Sequence, residues 1–131
     1  MTAAAPRGLT FLKAALALQT LALFFQAVTA GMLLTSSHGY VMHDVGSKVM
    51  YGSAMLYVLA AILAWRRGGG SARPVLYATG FLLLASAQVA LGIARVPSLH
   101  VPLGVVMFAL SILALVQTLS PRWLLRPAAR S

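Results

Sequence analysis

The chain has 131 residues, of which 60% are hydrophobic and only 8% are charged. A soluble domain is about half apolar and about one quarter charged, so this composition excludes an ordinary soluble protein and indicates a membrane protein. The net charge of +9, from ten basic residues and one acidic residue, does not indicate nucleic-acid binding, because the basic residues flank apolar segments.

Four apolar windows of roughly 20 residues follow one another, each long enough to cross about 30 Å of hydrocarbon as a helix. The predicted helices cover residues 11–34, 46–65, 75–94 and 101–119. Strands of an outer-membrane barrel would alternate apolar and polar residues, and these windows do not alternate. The sequence therefore predicts an all-α integral membrane protein, a single four-helix bundle over residues 1–131 with no soluble domain.

The first window also resembles a secretory signal peptide. Arg7 and Lys13 precede its apolar run, and Val28-Thr29-Ala30 resembles a cleavage site. The apolar run continues to Leu34, which is longer than a signal peptide usually requires. We therefore expect the segment to remain as the first transmembrane helix, with cleavage as the alternative.

The polar segment of residues 35–40 is predicted to be a loop that contains His38. The simplest role for this histidine is an interfacial ring that reaches water. An alternative is copper handling, because soft and imidazole ligands lie near one another in the sequence, although their spacing matches no recognised pattern. These ligands are Met32, His38, Met42 and His43.

The basic residues are divided unequally between the two sides of the predicted bundle. Eight lie at the N-terminal end, in the middle loop and in the C-terminal tail, namely Arg7, Lys13, Arg66, Arg67, Arg73, Arg122, Arg126 and Arg130. Only Lys48 and Arg95 lie on the other side. This distribution predicts that both termini are cytoplasmic. Trp65, Tyr77 and Trp123 then fall at the inner interface, the Gly68–Ser71 connector lies inside, and all three histidines lie at the outer face.

The two halves of the chain resemble each other. Met50 follows His43 by seven residues, and Met107 follows His100 by the same interval. The stretch from Gln26 to Gly31 near the end of the first helix is similar to the stretch from Gln88 to Gly92 near the end of the third. The two hairpins are therefore candidate copies of one unit, and chance similarity between apolar helices is the alternative.

Small residues follow each of these histidines along one helix face. Gly46 or Ser47, Met50 and Ala54 share a face with His43, and Gly104, Met107 and Ser111 share one with His100. Small residues allow a flat group to lie against the helix, or they serve close helix packing in lipid. Pro102 is expected in the first turn of the fourth helix, where its missing N–H costs nothing.

Two histidines at matching depth on parallel helices can supply both axial nitrogens of a haem iron. The absence of cysteine excludes covalent C-x-x-C-H attachment. We therefore expect non-covalent haem b with His43 and His100 as the iron ligands. Gly46, Gly104, Met50 and Met107 would lie beside the ring, and Lys48 and Arg95 would pair with its propionates.

A family resemblance supports the same pair. The segment QVALGIARVPSLHVPLGVVMFAL, residues 88–110, resembles the haem A synthase family, in which Q-x-x-L-G closes one helix and L-H-x-x-x-A/G opens the next. The segment from His43 to Ser47 resembles that family's H-R-x-x-[GS] helix start. The resemblance covers about two thirds of the chain and implies one four-helix half-unit, whereas the family has two.

Two departures from the family concern activity. Tyr40 stands at the position of the family's catalytic glutamate, and Asp44 replaces the arginine after the first histidine. Oxidation of a haem methyl group is therefore not expected, and Asp44 is free to pair with Lys48 one turn on. The leading hypothesis is a haem b protein of a bacterial plasma membrane, in electron transfer, haem handling or oxidase assembly. The alternative is a cofactor-free subunit or scaffold whose partner is a membrane complex or a second copy.

Overall fold

The computed structural model describes residues 7–69 and 71–120, and this part of the chain forms four α-helices. Each helix is long and apolar enough to cross a membrane. The protein is therefore an all-α, multi-pass membrane protein, as the composition predicted. Gly70 and the tail residues Arg122, Trp123, Arg126 and Arg130 lie outside the described residues. The helices are α1 (Arg7–Met32), α2 (His38–Gly68), α3 (Arg73–Ile93) and α4 (Pro97–Leu119).

Three of the helices begin well before the predicted windows. α2 begins at His38 instead of Gly46, so the prediction that His38 lies in a loop was wrong. α4 begins at Pro97, which places Pro102 inside the helix and not in its first turn. The predicted windows include only the apolar residues of each segment. The helical hydrogen bonds extend further, through polar and small residues at the membrane surface, so the helices begin earlier. Pro102 still removes one N–H donor from α4.

The helices form a closed ring in which α1 packs on α2 and α4, and α3 packs on the same two neighbours. Short connections reverse the chain after each helix, so α2 and α4 run parallel to each other. Two core clusters fill the interior. One contains Leu12, Ala15, Leu16, Tyr57, Ala60, Ala61 and Ala78. The other contains Ala22, Leu23, Met50, Ala54, Phe81, Ala85 and Met107. Alanine is frequent in both because small residues let membrane helices approach closely.

Two backbone features fix the ends of the hairpins on the histidine side. A Cβ atom on Gly39 would lie 2.6 Å from the main-chain carbon of Met32, so only glycine allows α2 to start against the end of α1. Between α3 and α4, Arg95 has a left-handed conformation with φ of 55°. The N–H groups of Arg95 and Val96 donate to the carbonyls of Gly92 and Leu91, at 3.2 and 3.0 Å, which is a Schellman motif.

Candidate functional site

The imidazole rings of His43 and His100 lie together between α2 and α4. Their centroids are 6.2 Å apart and the rings meet edge to face, at an interplanar angle of 73°. His43 is the sixth residue of α2 and His100 is the fourth residue of α4, so both rings lie within two turns of the same end of the bundle. The pairing expected from the repeated sequence pattern is therefore present as a spatial contact.

His43 is held by a polar cluster at the end of α1. Its Nδ1 atom lies 3.0 Å from Oγ1 of the buried Thr29. The same hydroxyl lies 3.1 Å from the carbonyl oxygen and 3.1 Å from the Oε1 atom of Gln26. Because both Gln26 atoms can only accept, the single hydroxyl hydrogen of Thr29 points to Gln26. The Thr29 lone pairs then accept from Nδ1–H of His43, which leaves the Nε2 lone pair of His43 available.

His100 is held by Gln88 of α3 in two directions. Its ring Nδ1 donates to the main-chain carbonyl of Gln88 at 3.0 Å, and the Gln88 side-chain amide donates to the main-chain carbonyl of His100 at 2.9 Å. A carbonyl only accepts, so Nδ1 carries the hydrogen and Nε2 carries the lone pair. The Gln88 Nε2 atom lies 3.4 Å from that ring Nε2. Each histidine is thus oriented by the helix before it in the chain.

The two predicted glycines make corresponding contacts in the two hairpins. A Cβ atom on Gly46 would lie 2.9 Å from Oε1 of Gln26 and 3.0 Å from Cε1 of Phe25. A Cβ atom on Gly104 would lie 2.9 Å from Nε2 of Gln88. In each hairpin a glutamine of the odd helix therefore fills the space beside a glycine of the even helix. Close helix packing, one of the two roles left open by the sequence, accounts for both glycines in this structure.

Met50 and Met107 are buried two turns beyond their histidines and belong to the same core cluster. The cluster also contains Phe81 and alanines of α1, α2 and α3. The predicted methionines are thus brought together in the core, about two turns along α2 and α4 from the histidine pair.

The two predicted basic residues lie at the exposed rim of the same end. Lys48 pairs with Asp44, with Nζ 2.6 Å from Oδ2, and the two side chains are 72% and 64% exposed. This is the pairing anticipated for Asp44, and at this exposure it contributes little to stability. Arg95 is exposed in the turn between α3 and α4. The structure therefore places both cations near the histidine end without bringing either against a ring.

The residues considered for copper do not assemble into a closed site. His38 and Met42 are exposed, and Met32 is only partly buried at the end of α1. Within the described ranges, no group of three or more histidine, aspartate, glutamate or cysteine residues could hold a metal ion. The chemistry that the arrangement does offer is a pair of imidazole Nε2 atoms.

Sequence reasoning missed the residues that orient the histidines. In the sequence, Gln26, Thr29 and Gln88 are identifiable as parts of a repeat, and Thr29 also as part of a possible cleavage site, but none of them has a predicted role at the histidines. A usable signal was present, because Gln26 and Thr29 lie three residues apart on one helical face in an apolar helix. Polar side chains in a membrane helix usually have a polar partner across a helix interface.

Comparison of the chain with known protein families, curated proteins and solved structures finds no match.

Proposed function

We propose that the chain is a small haem b-binding protein of a bacterial plasma membrane, with His43 and His100 as the two residues that would hold the haem iron. Its role would lie in electron transfer, haem handling or oxidase assembly. The observation that carries the proposal is the approach of the two rings, with centroids 6.2 Å apart, from two parallel helices. The resemblance of residues 88–110 to haem A synthases supports the same assignment.

The donor set fits an iron ligand pair. Both Nδ1 atoms are engaged, one with Thr29 and one with the carbonyl of Gln88, and metal-ligating histidines usually donate their second N–H in this way. A bound haem would supply a one-electron iron couple at this end of the bundle.

Binding requires a local rearrangement of this chain. The Gln88 amide must turn away from Nε2 of His100, and the side chains that cover Gly46 and Gly104 must move. The hydrogen bonds that both Nδ1–H groups donate, to Thr29 and to the Gln88 main-chain carbonyl, do not involve the Nε2 atoms. The Nδ1 hydrogen bonds can therefore keep both rings oriented while the covering side chains rearrange at the histidine end of α2 and α4. Lys48 and Arg95 at the rim are the residues that would pair with propionates.

Haem oxidation is not part of the proposal. Tyr40, which is 74% exposed, stands at the position of the family's catalytic glutamate, so no carboxylate is present at that position. Asp44, which replaces the family's arginine, pairs with Lys48. Of the family's histidine pair, glutamate and arginine, this chain keeps the pair of histidines. We therefore propose that it holds haem or carries electrons and does not oxidise haem.

The test is an absorbance spectrum of protein purified from haem-replete cells, recorded oxidised and then reduced. The proposal expects a Soret band and one haem per chain, lost in the His43→Ala/His100→Ala double variant. His38→Ala is the matched control, because this histidine is exposed on the same helix, and it should retain the band. Colourless, well-folded wild-type protein would overturn haem binding. A band that survives the double substitution would overturn the ligand assignment.

A second candidate is a cofactor-free membrane subunit or scaffold. It is favoured by one observation, that the chain's own Gln26, Phe25 and Gln88 side chains fill the space beside both glycines. In this case the histidines would stabilise the hairpins, and partners would bind the lipid-facing helix surfaces. Stoichiometric co-purification of another membrane protein, or of a second copy, without visible absorbance would support this candidate against the first.

A further inference from the structure

Gln19 lies at the middle of α1 and is fully buried. Neither Nε2 nor Oε1 of its side chain has a hydrogen-bond partner among the described residues. A buried amide without partners is costly, and more so in a bilayer, where water does not compensate. A polar side chain retained at this depth therefore points to a ligand-binding role.

Gln19 lines a cleft of about 410 Å³ between α1, α3 and α4, and its amide nitrogen and oxygen are themselves covered, so the side chain must turn to meet a ligand there. Small-molecule sites have volumes of about 300–1,000 Å³. Apolar side chains such as Leu16, Phe81 and Leu84 form most of the wall, and Tyr57 adds a phenol. The Ser111 hydroxyl also lies there, but it is already paired with Thr20 Oγ1 at 2.7 Å.

The cleft opens on the lipid-facing side of the bundle. Leu76, Tyr77 and Leu110 line it and are themselves exposed. Gly80 leaves part of the wall open, because a Cβ atom there would meet nothing within 4 Å. Leu76 and Tyr77 lie in the first two turns of α3, whereas Gly80, Leu110 and Gln19 lie at least seven residues inside their helices. A ligand therefore reaches Gln19 through the side of the bundle that faces the hydrocarbon.

We propose that this cleft binds a lipid-soluble isoprenoid quinone. Phospholipids, sterols and fatty acids keep their polar groups at the membrane surface, whereas a quinone ring enters the hydrocarbon with its oxygens. The amide matches both redox forms, because Nε2 donates to a quinone carbonyl and Oε1 accepts from a quinol hydroxyl. Tyr57, which also lines the cleft, offers a second O–H. The proposal concerns binding, and it stands independently of haem.

The chain offers a direct spectroscopic test. It contains four glutamines and no asparagine, so nitrogen-15 spectra of the protein in nanodiscs contain only four side-chain amide pairs. Titration with decylubiquinone should shift the Gln19 pair in a saturable manner. Gln117 on α4 is exposed and serves as the internal control, which should not shift. The proposal would be overturned if the Gln19 signals show no saturable shift or if Gln19 and Gln117 shift equally. It would also be overturned if the Gln19 side-chain amide only exchanges its hydrogens with water and does not respond to the quinone.

Two variants locate the site. Gly80→Leu should fill the cleft and weaken binding at least tenfold. Gly52→Leu on α2 is the matched control, because a Cβ there also meets nothing within 4 Å, and it should bind like the wild type. Gln19→Leu removes the unpartnered amide, so it should fold at least as well and lose quinone binding measured by equilibrium dialysis. Unchanged binding in both Gly80→Leu and Gln19→Leu would overturn the assignment.

Discussion

Gln88 and His100 are bonded to each other in both directions across the α3–α4 interface. The glutamine side chain donates to the histidine carbonyl at 2.9 Å, and the histidine ring donates to the glutamine carbonyl at 3.0 Å. The side chain of each residue thus donates a hydrogen bond to the main-chain carbonyl of the other. Because Pro102 supplies no N–H to the first turns of α4, the Ser98 carbonyl loses a helical donor there. The reciprocal pair stabilises the helix start just beside this gap.

Gly104→Ala should disturb this pair selectively. The new Cβ atom would lie 2.9 Å from Nε2 of Gln88, and the flexible amide is the group that will move. We expect a clear shift of the Gln88 side-chain amide resonance and a net stability change below about 1 kcal/mol, because alanine is the better helix former. Gly80→Ala, where a Cβ meets nothing within 4 Å, is the control. An unmoved Gln88 resonance in Gly104→Ala would contradict the contact.

Thr29→Val should weaken the α1–α2 hairpin. Valine keeps the branched shape but removes the hydroxyl that accepts from Nδ1 of His43, so we expect a loss of about 1 kcal/mol. The measurement is reversible unfolding in mixed micelles with increasing sodium dodecyl sulfate. Thr29→Ser keeps the hydroxyl and should stay closer to the wild type. If the serine variant is as unstable as the valine variant, the hydrogen bond is not the cause.

Gly39→Ala should be more harmful than its small size suggests. Its Cβ atom would lie 2.6 Å from the Met32 carbonyl carbon and 2.7 Å from the Leu33 nitrogen. Backbone atoms cannot turn aside as a side chain can, so we expect a loss of about 1–3 kcal/mol in the same unfolding assay. Gly52→Ala on the same helix has open space and should gain about 0.5–1 kcal/mol. Equal effects at the two positions would refute the close approach.

Arg95→Gly should stabilise the protein. Arg95 has φ of 55°, a left-handed conformation that costs an L-residue about 1 kcal/mol, and glycine removes this cost. Ala94→Gly is the neighbouring control, because Ala94 has φ of −71° and glycine there only adds freedom to the unfolded chain. We expect a higher thermal midpoint for the first variant and a lower one for the second. A lower midpoint for Arg95→Gly would show that its side chain contributes more than the strain costs.

The sequence predicted the number of helices and the histidine pair, because both depend on long-range regularities of the chain. Apolar length identifies membrane spans, and the equal spacing from His43 to Met50 and from His100 to Met107 placed both histidines at one end. Helix ends were less predictable, since α2 continues through the polar residues before Gly46. The partners of the rings depend on how each helix is rotated about its axis, which no single sequence specifies. Gln19 was not predicted as a site residue because the sequence does not show that its buried side-chain amide has no hydrogen-bond partner among the described residues.

The unequal lengths of the helices have a consequence for the membrane itself. α3 has 21 residues and α2 has 31, so at about 1.5 Å per residue they measure about 32 and 46 Å. α3 is the shortest of the four helices and comes closest to the thickness of the hydrocarbon layer, about 30 Å, so it limits how far the bundle can shift along the membrane normal. Gln88 lies near the histidine end of this shortest helix. In a thin bilayer the Gln88–His100 contact would be exposed to water, and in a thick bilayer it would lie within the hydrocarbon. Lipid chain length would therefore change the hydration of the histidine pair.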